Sequence, residues 1–436
     1  MEKLPGYLNT GFVEGIADLL PKRLRALAYG RALHLDKPLS KKIVFKLAQT
    51  KEELEACFRL LHDAYVSAGF MKPAPSGLRV TLYHALPTTS TLMCRYDDRV
   101  VGTVSLIRKS KLGFPMQRIF DLEGVRKEGG NMAEVSGLAI ERHFDDADSQ
   151  ILIPLLKFMY EYAEYRFDTR HLVIAAHPRH LGFYENLFGF ERLDQPLVEH
   201  YDFVDGMAAV GAHLNLAKGR EFLREKYAHQ RPDKNLYHYF VAAALPNSQF
   251  PHRRFHTTTD PVMTPELIDY FFNQRTQTFS SLSQREIMLL HTVYDLPEYK
   301  FCLPLLPDNP SREKLRSRSH RRFPVRCPGR LRLSQPESSN VGLTVYECSE
   351  AVFCAHFDSA LTVGMSGEVD IDLGESWRCT LPVRVSRLGK HSNRVAMLNI
   401  LDADSEQHQQ WTKFVSVLNR GRVSEELDEA TRLVSE

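Results

Sequence analysis

The feature that most constrains the fold is a short unbroken apolar run, residues 172–176, followed at once by a helix start. Such a run is typical of a strand that is covered on both faces. His177 and Pro178 then open a helix, because proline suits the first helical position, where no backbone N–H is needed. Gly189 can adopt the left-handed conformation that ends a helix, and Phe190 begins the next strand. This unit predicts a sheet layered with helices.

The same alternation extends back to residue 43. Thr50 and Glu53 form a capping box that starts a helix with one apolar stripe. The other predicted elements are strands 91–96 and 99–107 joined as a hairpin, a strand over 133–140 and a helix over 150–167. The predicted order is therefore helix, hairpin, strand, helix, strand, helix, strand.

The length suggests about three domains, and the small net charge argues against a molecule that binds polyanions over its whole surface. The chain has 436 residues and a net charge of +2, too small for the whole molecule to act as a polyanion binder. Seven cysteines without zinc-type spacing fit reduced thiols, and no apolar run is long enough for a secretory signal or a membrane span. These features predict a cytoplasmic protein with no metal site.

Composition divides the chain into five segments. A basic amphipathic helix over 1–42, with Lys22, Arg23, Arg25 and Arg31, is expected to pack on the next domain; peripheral contact with the inner membrane or a partner is the alternative. The remaining segments are an α/β (α+β) domain at 43–215, a mainly helical connector at 216–310, an all-β module at 311–420 that ends in a helix, and a charged tail at 421–436.

Two motifs in the α/β domain resemble known acyltransferases. Residues 183–190, Phe-Tyr-Glu-Asn-Leu-Phe-Gly-Phe, resemble the last helix and strand of the GNAT acyltransferase fold. Glu134-Val135-Ser136 resembles the E-x-S-R strand motif of acyl-homoserine-lactone synthases, with Gly137 in place of the arginine. More widely, residues 58–65, 96–120 and 133–190 resemble the long-chain N-acyl amino acid synthases of bacteria, a likeness that covers roughly residues 43–215.

This resemblance implies transfer of a fatty acyl chain from a carrier-protein thioester to the α-amine of an amino acid. An α-amine is mostly protonated near pH 7, so a base is useful. Glu134 is the expected base, Ser136 shares its strand face, and backbone N–H groups around Gly137 could hold the oxyanion. A homoserine-lactone-like product is a third hypothesis, against which Gly137 counts.

Other candidate site residues flank this motif. Tyr184 is where many GNAT enzymes place an acid for the leaving thiolate, although its spacing also fits plain core. Arg108 and Arg79 are candidates for binding the acceptor's carboxylate, because an arginine fork suits it. His177 and His180 are interpreted as structural or substrate-contacting residues.

The donor is predicted to be acyl carrier protein, carrying a phosphopantetheine thioester, with no tightly bound cofactor. The stretch 142–149 lacks the glycine-rich loop that grips coenzyme A, and its three acids would repel a diphosphate. An acidic carrier protein would dock on a basic surface, for which Arg179, Arg166, Arg170 and the basic N-terminal helix are candidates.

The C-terminal module begins with nine basic residues and one acid between Arg312 and Arg332. It resembles a PilZ domain, whose R-x-x-x-R segment and D/N-x-S-x-x-G strand bind cyclic di-GMP. The matching residues here are Arg318, Arg322 and Arg326 in the first motif and Glu347 and Ser349 in the second, where Glu replaces Asp and Val352 replaces the final Gly.

Three interpretations of this module remain open. It binds cyclic di-GMP as a regulator, it is a degenerate barrel that mediates protein contact, or it carries a basic linker attracted to nucleic acid or anionic lipid. Nucleic acid is not expected, because Phe323 is the one aromatic residue in the patch. The alternative for the whole chain is a non-catalytic cyclic di-GMP effector with a GNAT-like scaffold.

Overall fold

The computed structural model describes residues 35, 38–141, 151–306, 322–334, 340–375, 377–389, 392–401 and 406–420. The chain divides into two compact units, Met1–Pro251 with Glu266–Leu289, and His252–Pro265 with Leu290–Glu436. Several predictions fall outside the described residues: the N-terminal helix, the acidic stretch 142–149, Arg318 and the tail 421–436.

The first unit is built on a mixed sheet of nine strands within the described residues, in the order β6-β8-β5-β4-β3-β2-β1-β9, with β7 paired to β8. Its strands are β1 Ile43–Leu47, β2 Thr89–Tyr96, β3 Arg99–Arg108, β4 Asn131–Ile140, β5 Thr169–Ala176, β6 Glu191–Arg192, β7 Val198–Tyr201, β8 Met207–Asn215 and β9 Ser248–Gln249. Its helices are α1 Lys51–Ser67, α2 Glu123–Lys127, α3 Leu152–Glu161, α4 Pro178–Phe188 and α5 Leu216–Tyr227. Two further helices, α6 Pro265–Ile268 and α7 Gln284–Val293, cross the chain boundary between the two units.

The structure contains the capping contacts and helix ends that the sequence predicts. Thr50 and Glu53 make both hydrogen bonds of the capping box at the start of α1. His177 caps α4, Pro178 is its first residue, and Gly189 ends it with φ +77°. The helix predicted over 150–167 is α3 followed by one turn of π-helix, Tyr162–Arg166. These elements confirm the predicted α/β fold class.

Residues 216–310, predicted as one connecting region, are shared between the two units. Its first helix, α5, packs against β5 and β8 of the sheet. Strand β9 adds a parallel edge to β1, with Phe45 opposite Ser248. Between these elements the chain forms short 3-10 and π-helical turns, among them His238–Ala242.

The second unit contains a closed barrel of six antiparallel strands in the order β10-β11-β12-β15-β14-β13. The strands are β10 Phe323–Leu333, β11 Asn340–Cys348, β12 Val352–Phe357, β13 Ser366–Gly374, β14 Trp377–Gly389 and β15 Ser392–Ile400. Helix α8, Glu406–Arg420, places Trp411, Phe414 and Val415 in the barrel's apolar core, as its sequence pattern predicts. A closed barrel leaves no free strand edge.

No helix among the described residues is long and apolar enough to span a membrane.

Candidate active site

Glu134 is a buried carboxyl in the middle of the sheet. It lies on β4 opposite Ile107 of β3 and Val173 of β5. Its side chain is 2% exposed, and Oε2 accepts a 3.0 Å hydrogen bond from the backbone N–H of Met116. Burial raises the pKa of Glu134 to about 8, and the single hydrogen bond offsets this only in part. The carboxyl can therefore take up or release a proton near neutral pH.

Strands β4 and β5 separate directly after Glu134. Their parallel pairing ends at Glu134 and Val173, whereas β4 continues along β3 to Ile140 and β5 continues along β8 to Ala176. The two strands therefore form a wedge whose closed end is Glu134. Backbone groups of β4 that face the wedge are not used in the pairing with β5, and such groups are available to a ligand.

Gly137 lies in the wedge with a left-handed backbone, φ +61°. The register of β3 and β4 shifts here, between Thr103 and Ser105, as expected for a β-bulge. A Cβ at position 137 would approach Leu61 Cδ2 to 3.3 Å and Ser105 Oγ to 3.4 Å. Ser136, just before the bulge, is half-buried and shares the face of Glu134. The close approach explains why glycine occupies this position.

His84 is a buried residue beside this bulge that the sequence did not single out. Its Nδ1 accepts a 3.0 Å hydrogen bond from the Thr81 N–H, so a neutral ring carries its proton on Nε2 and donates it to Ser105 Oγ at 3.3 Å. Burial, with a smaller contribution from Arg79, lowers the pKa of His84 to about 3. His84 is thus a neutral support for Ser105 and the bulge.

Two buried tyrosines, also missed from the sequence, lie near Glu134. Tyr83 and Tyr201 are each 4% exposed. Burial raises the pKa of both phenols, and the negative charge of Glu134 adds to the rise. Tyr83 is hydrogen-bonded to Arg118. These residues are far apart in the sequence, so the grouping could not be predicted. Tyr201 lies on β7, which reaches this part of the molecule by pairing with β8, and β8 in turn pairs with β5.

An aromatic rim adjoins the tyrosines and includes three of the predicted residues. The guanidinium of Arg79 lies 4.2 Å from the Tyr65 ring and donates a 2.6 Å hydrogen bond to the carbonyl of Phe203. Ring-to-ring contacts of 5.7 to 5.9 Å continue the cluster. The rim is composed of Tyr65, Phe70, Arg79, His177, His180 and Phe203, and Tyr201 packs on Phe203. Arg79, His177 and His180 are thus brought together on the side of Tyr201.

Arg108 lies on the other face of the sheet. It pairs with Ala133, one residue from Glu134, and neighbouring side chains on a strand point to opposite faces. Its guanidinium donates to Ser90 Oγ and to the Pro87 carbonyl, and it stacks 3.5 Å above the Phe167 ring. Arg108 therefore holds the end of β3 against neighbouring segments.

The opposite face of the wedge opens into an apolar cavity. It has an empty volume of about 620 Å³, which includes space open to solvent. Val135, the neighbour of Glu134, and Tyr184 of α4 both line it. Other lining residues include Leu156, Leu172, Ile174, Leu214, Phe240 and Val241. Tyr184 is thus placed on the cavity side, where it also packs edge-on against Phe190.

The predicted ligand residues of the barrel are partly engaged with each other. Arg322, just before β10, donates a 2.9 Å hydrogen bond to Glu347 at the end of β11. Ser349 is buried, and its hydroxyl bonds the backbone of Val352 in a tight turn. Arg326 lies four residues beyond Arg322, with its backbone N–H on the carbonyl of His256. The bond to Glu347 occupies one of the five guanidinium N–H groups of Arg322, and the carboxylate competes with an anion for the same arginine.

Within the described residues, no group of three or more His, Cys, Asp or Glu side chains is arranged to hold a metal ion.

Part of the first unit matches a known protein family. Residues 56–215 match the model of the FeeM N-acyl amino acid synthase family. The match includes Glu134, Gly137, Tyr184 and Tyr201, and it supports acyl transfer as the reaction of this part of the chain. No curated protein sequence matches the chain.

Among solved structures, FeeM, an N-acyl amino acid synthase from uncultured soil microbes, is 22% identical, with a TM-score of 0.35, covering 41% of this chain and 93% of its own. BjaI, a CoA-dependent acyl-homoserine lactone synthase, is 19% identical, with a TM-score of 0.35, covering 49% and 95%. The PilZ domain of YcgR from Escherichia coli, solved with c-di-GMP, is 14% identical, with a TM-score of 0.21, covering 26% and 98%.

Proposed function

We propose that the first unit transfers a long-chain acyl group from an acyl-carrier-protein thioester to the α-amine of an amino acid. The observation that carries the proposal is the position of Glu134, at the closed end of the wedge within the segment that matches the FeeM family. The base lies on one face of the sheet and the apolar cavity on the other. A thioester in the wedge could therefore meet the amine on the first face and extend its chain into the cavity.

The acidity of Glu134 fits an α-amine. A free α-amino group has a pKa of roughly 7.7 to 8.0, and the pKa of Glu134 is raised to about 8. Proton transfer between the two is then nearly balanced in free energy, which is the condition for an efficient general base. A lysine side-chain amine, with a pKa near 10.4, would match less well.

The proposed reaction has three steps. Glu134 accepts a proton from the substrate ammonium, and the neutral nitrogen attacks the thioester carbon, so that the carbonyl electron pair moves to oxygen. Backbone N–H groups near Gly137 are proposed to stabilise that oxyanion. The carbonyl re-forms as the C–S bond breaks, and the thiolate takes the proton that Glu134 had accepted. The nitrogen still carries an extra proton after the attack and releases it to solvent. The products are an amide, a carrier thiol and one released proton.

A carrier protein is the proposed donor because the wedge is flanked by exposed basic charge at the start of α4. Arg179 is exposed there, one residue into the helix. Arg170 and Arg166 lie at the opposite end of β5 from Arg179; Arg170 is exposed and pairs with Asp168 at 2.9 Å, and Arg166 lies 5.2 Å from the Phe250 ring. Arg179 is therefore the candidate contact at the wedge. An acidic carrier protein would be attracted to it, with an affinity that falls as salt rises.

The barrel is proposed as a regulatory module for cyclic di-GMP. Arginine stacks on bases and forks onto guanine, which is the chemistry that Arg322 and Arg326 would supply. The ion pair of Arg322 with Glu347 competes with this role, so a weak affinity is expected. Calorimetry with cyclic di-GMP tests the proposal, and a flat titration at high ligand would leave the barrel with a role in protein contact.

A reducing compartment such as the cytoplasm is proposed as the site of the reaction. All seven cysteines are buried thiols outside any disulfide, a usage typical of proteins that function among reduced thiols.

Lipid extraction tests the enzyme directly. Cells that express the full chain are expected to contain a new acylated amino acid by mass spectrometry, and cells that express Glu134→Gln at equal level are expected to lack it. If soluble wild-type protein gives no product, the first unit is a scaffold and the effector hypothesis replaces this one. If Glu134→Gln gives as much product as the wild type, another group is the base.

A further inference from the structure

The hydroxyl of Tyr201 is a buried polar group. The side chain is 4% exposed, and within the described part of the chain its hydroxyl has no hydrogen-bond partner. Most buried hydroxyls in folded proteins are bonded, and an exception calls for an explanation. One explanation is a ligand that accepts a hydrogen bond from this hydroxyl.

The backbone holds this hydroxyl in place. Tyr201 ends β7 opposite Met207 of β8, and its carbonyl accepts a 3.1 Å hydrogen bond from the N–H of Gly206. Its ring packs on Phe203 at 5.7 Å, and the carbonyl of Phe203 is bonded to Arg79. The phenol is therefore preorganised, so little reorganisation is needed when a ligand arrives.

The hydroxyl lies within electrostatic range of the proposed base. The negative charge of Glu134 acts on the Tyr201 phenol, as does Tyr83. Burial keeps the phenol protonated at neutral pH, so it is a permanent hydrogen-bond donor. A donor in the same region as Glu134 is placed to meet an oxygen of the substrate near the reacting amine.

We propose that the Tyr201 hydroxyl is a second catalytic group, which donates a hydrogen bond to the acyl oxygen as it gains negative charge. The inference rests on the proposed acyl transfer. In the tetrahedral intermediate the new nitrogen and this oxygen are bonded to one carbon. The groups that contact them must therefore lie in one site, and Glu134 and Tyr201 are close enough to interact electrostatically. The tyrosine gives up no proton, so the balance of the reaction is unchanged.

Tyr201→Phe tests this role, because it removes the hydroxyl and keeps the ring. Loss of one oxyanion donor is expected to lower kcat about 10²- to 10³-fold, with KM for acyl donor and amino acid changed only a few-fold. The melting temperature should stay the same or rise, because the variant no longer buries an unbonded hydroxyl. Tyr227→Phe is the matched control. Tyr227, on α5 and outside the proposed site, is also buried, but its hydroxyl donates a 3.4 Å hydrogen bond to the Asn186 carbonyl.

The outcomes are distinct. A kcat equal to that of the wild type would overturn the assignment of Tyr201 and leave the proposed function intact. A raised KM for the amino acid with unchanged kcat would also overturn it, because the hydroxyl would then bind the acceptor and not the transition state. An equal loss in Tyr227→Phe would show a structural effect. Absence of turnover in the wild type would overturn both proposals together.

Discussion

The backbone N–H of Met116 donates a hydrogen bond to Oε2 of Glu134, a carboxyl that is 2% exposed. Hydrogen bonding to a carboxylate favours its charged form, whereas burial opposes it. Burial is the larger effect here, because it raises the pKa of Glu134 to about 8. The protein therefore keeps a proton-transfer group at the point where two strands separate, at some cost in stability.

That cost should depend on pH. Below about pH 4.5 Glu134 is protonated in both the folded and the unfolded chain, whereas above about pH 8 it is charged in both, and the folded state bears the cost of the buried charge. The free energy of unfolding of the wild type, relative to Glu134→Gln, should thus fall as pH rises from 4.5 to 8. One pKa unit corresponds to about 1.4 kcal/mol, so the total is on the order of a few kcal/mol.

Urea unfolding of the wild type and Glu134→Gln at pH 5 and pH 8 measures this difference. Glu221→Gln, a substitution at an exposed glutamate on α5, is the control for loss of a carboxyl at the surface. A difference between wild type and Glu134→Gln that is equal at both pH values would contradict the raised pKa.

Gly137 should tolerate no side chain. Gly137→Ala places a Cβ in a left-handed backbone and 3.3 Å from Leu61, so we expect a loss of about 1 to 3 kcal/mol in stability and a clear loss of acyl transfer. Gly129→Ala is the matched control, because Gly129 has φ +79° and nothing within 4 Å of a Cβ. Thermal unfolding and turnover of both variants separate backbone strain from crowding. Equal turnover in the two variants would show that the bulge has no role in catalysis.

The cavity should set the length of the acyl chain. Val241 is exposed at the cavity wall, so Val241→Trp can fill space with little damage to the core. Mass spectrometry of the products should show a shift toward shorter acyl chains. Leu197→Trp, at another exposed apolar residue of the same unit, should leave the distribution as in the wild type. An unchanged distribution in Val241→Trp would place the acyl chain elsewhere.

Glu347 should weaken the binding of cyclic di-GMP. Glu347→Gln removes the charge that holds Arg322 at 2.9 Å, and partly exposed ion pairs contribute roughly 0.2 to 1 kcal/mol, so affinity should rise by a few-fold at most. The matched control is Glu368→Gln, which removes one of the two carboxylates that Arg332 pairs with on the same barrel. Calorimetry decides: equal affinities for wild type and Glu347→Gln would show that the pair does not compete with the ligand.

Local signals made much of the fold predictable. The capping box of Thr50, the glycine stop at Gly189 and the apolar run 172–176 each depend on neighbours a few residues away, and the structure confirms them. The all-β character of the C-terminal module and its terminal helix also followed from strand and helix periodicity, whereas a barrel was implied by the resemblance to PilZ domains. These patterns are written into short segments, so one sequence is enough to show them.

The candidate site was harder to predict from the sequence, because it depends on strand register and on pairing between strands that are far apart in the chain. Arg108 ends the strand beside Glu134, yet the register places it on the opposite face, against Phe167. Tyr83 and Tyr201 carry no motif, and their position near Glu134 appears only once the sheet is assembled. A sequence shows which residues a strand contains but not which of them meet across a sheet.

Acyl transfer by the purified full chain is the most direct test of this account. The protein is incubated with long-chain acyl carrier protein and a mixture of the amino acids, and the products are resolved by mass spectrometry. We predict an N-acyl amino acid from the wild type and a rate at least 10²-fold lower from Glu134→Gln, as expected for loss of a general base. No amide from folded wild-type protein, or equal rates from the two proteins, would contradict it.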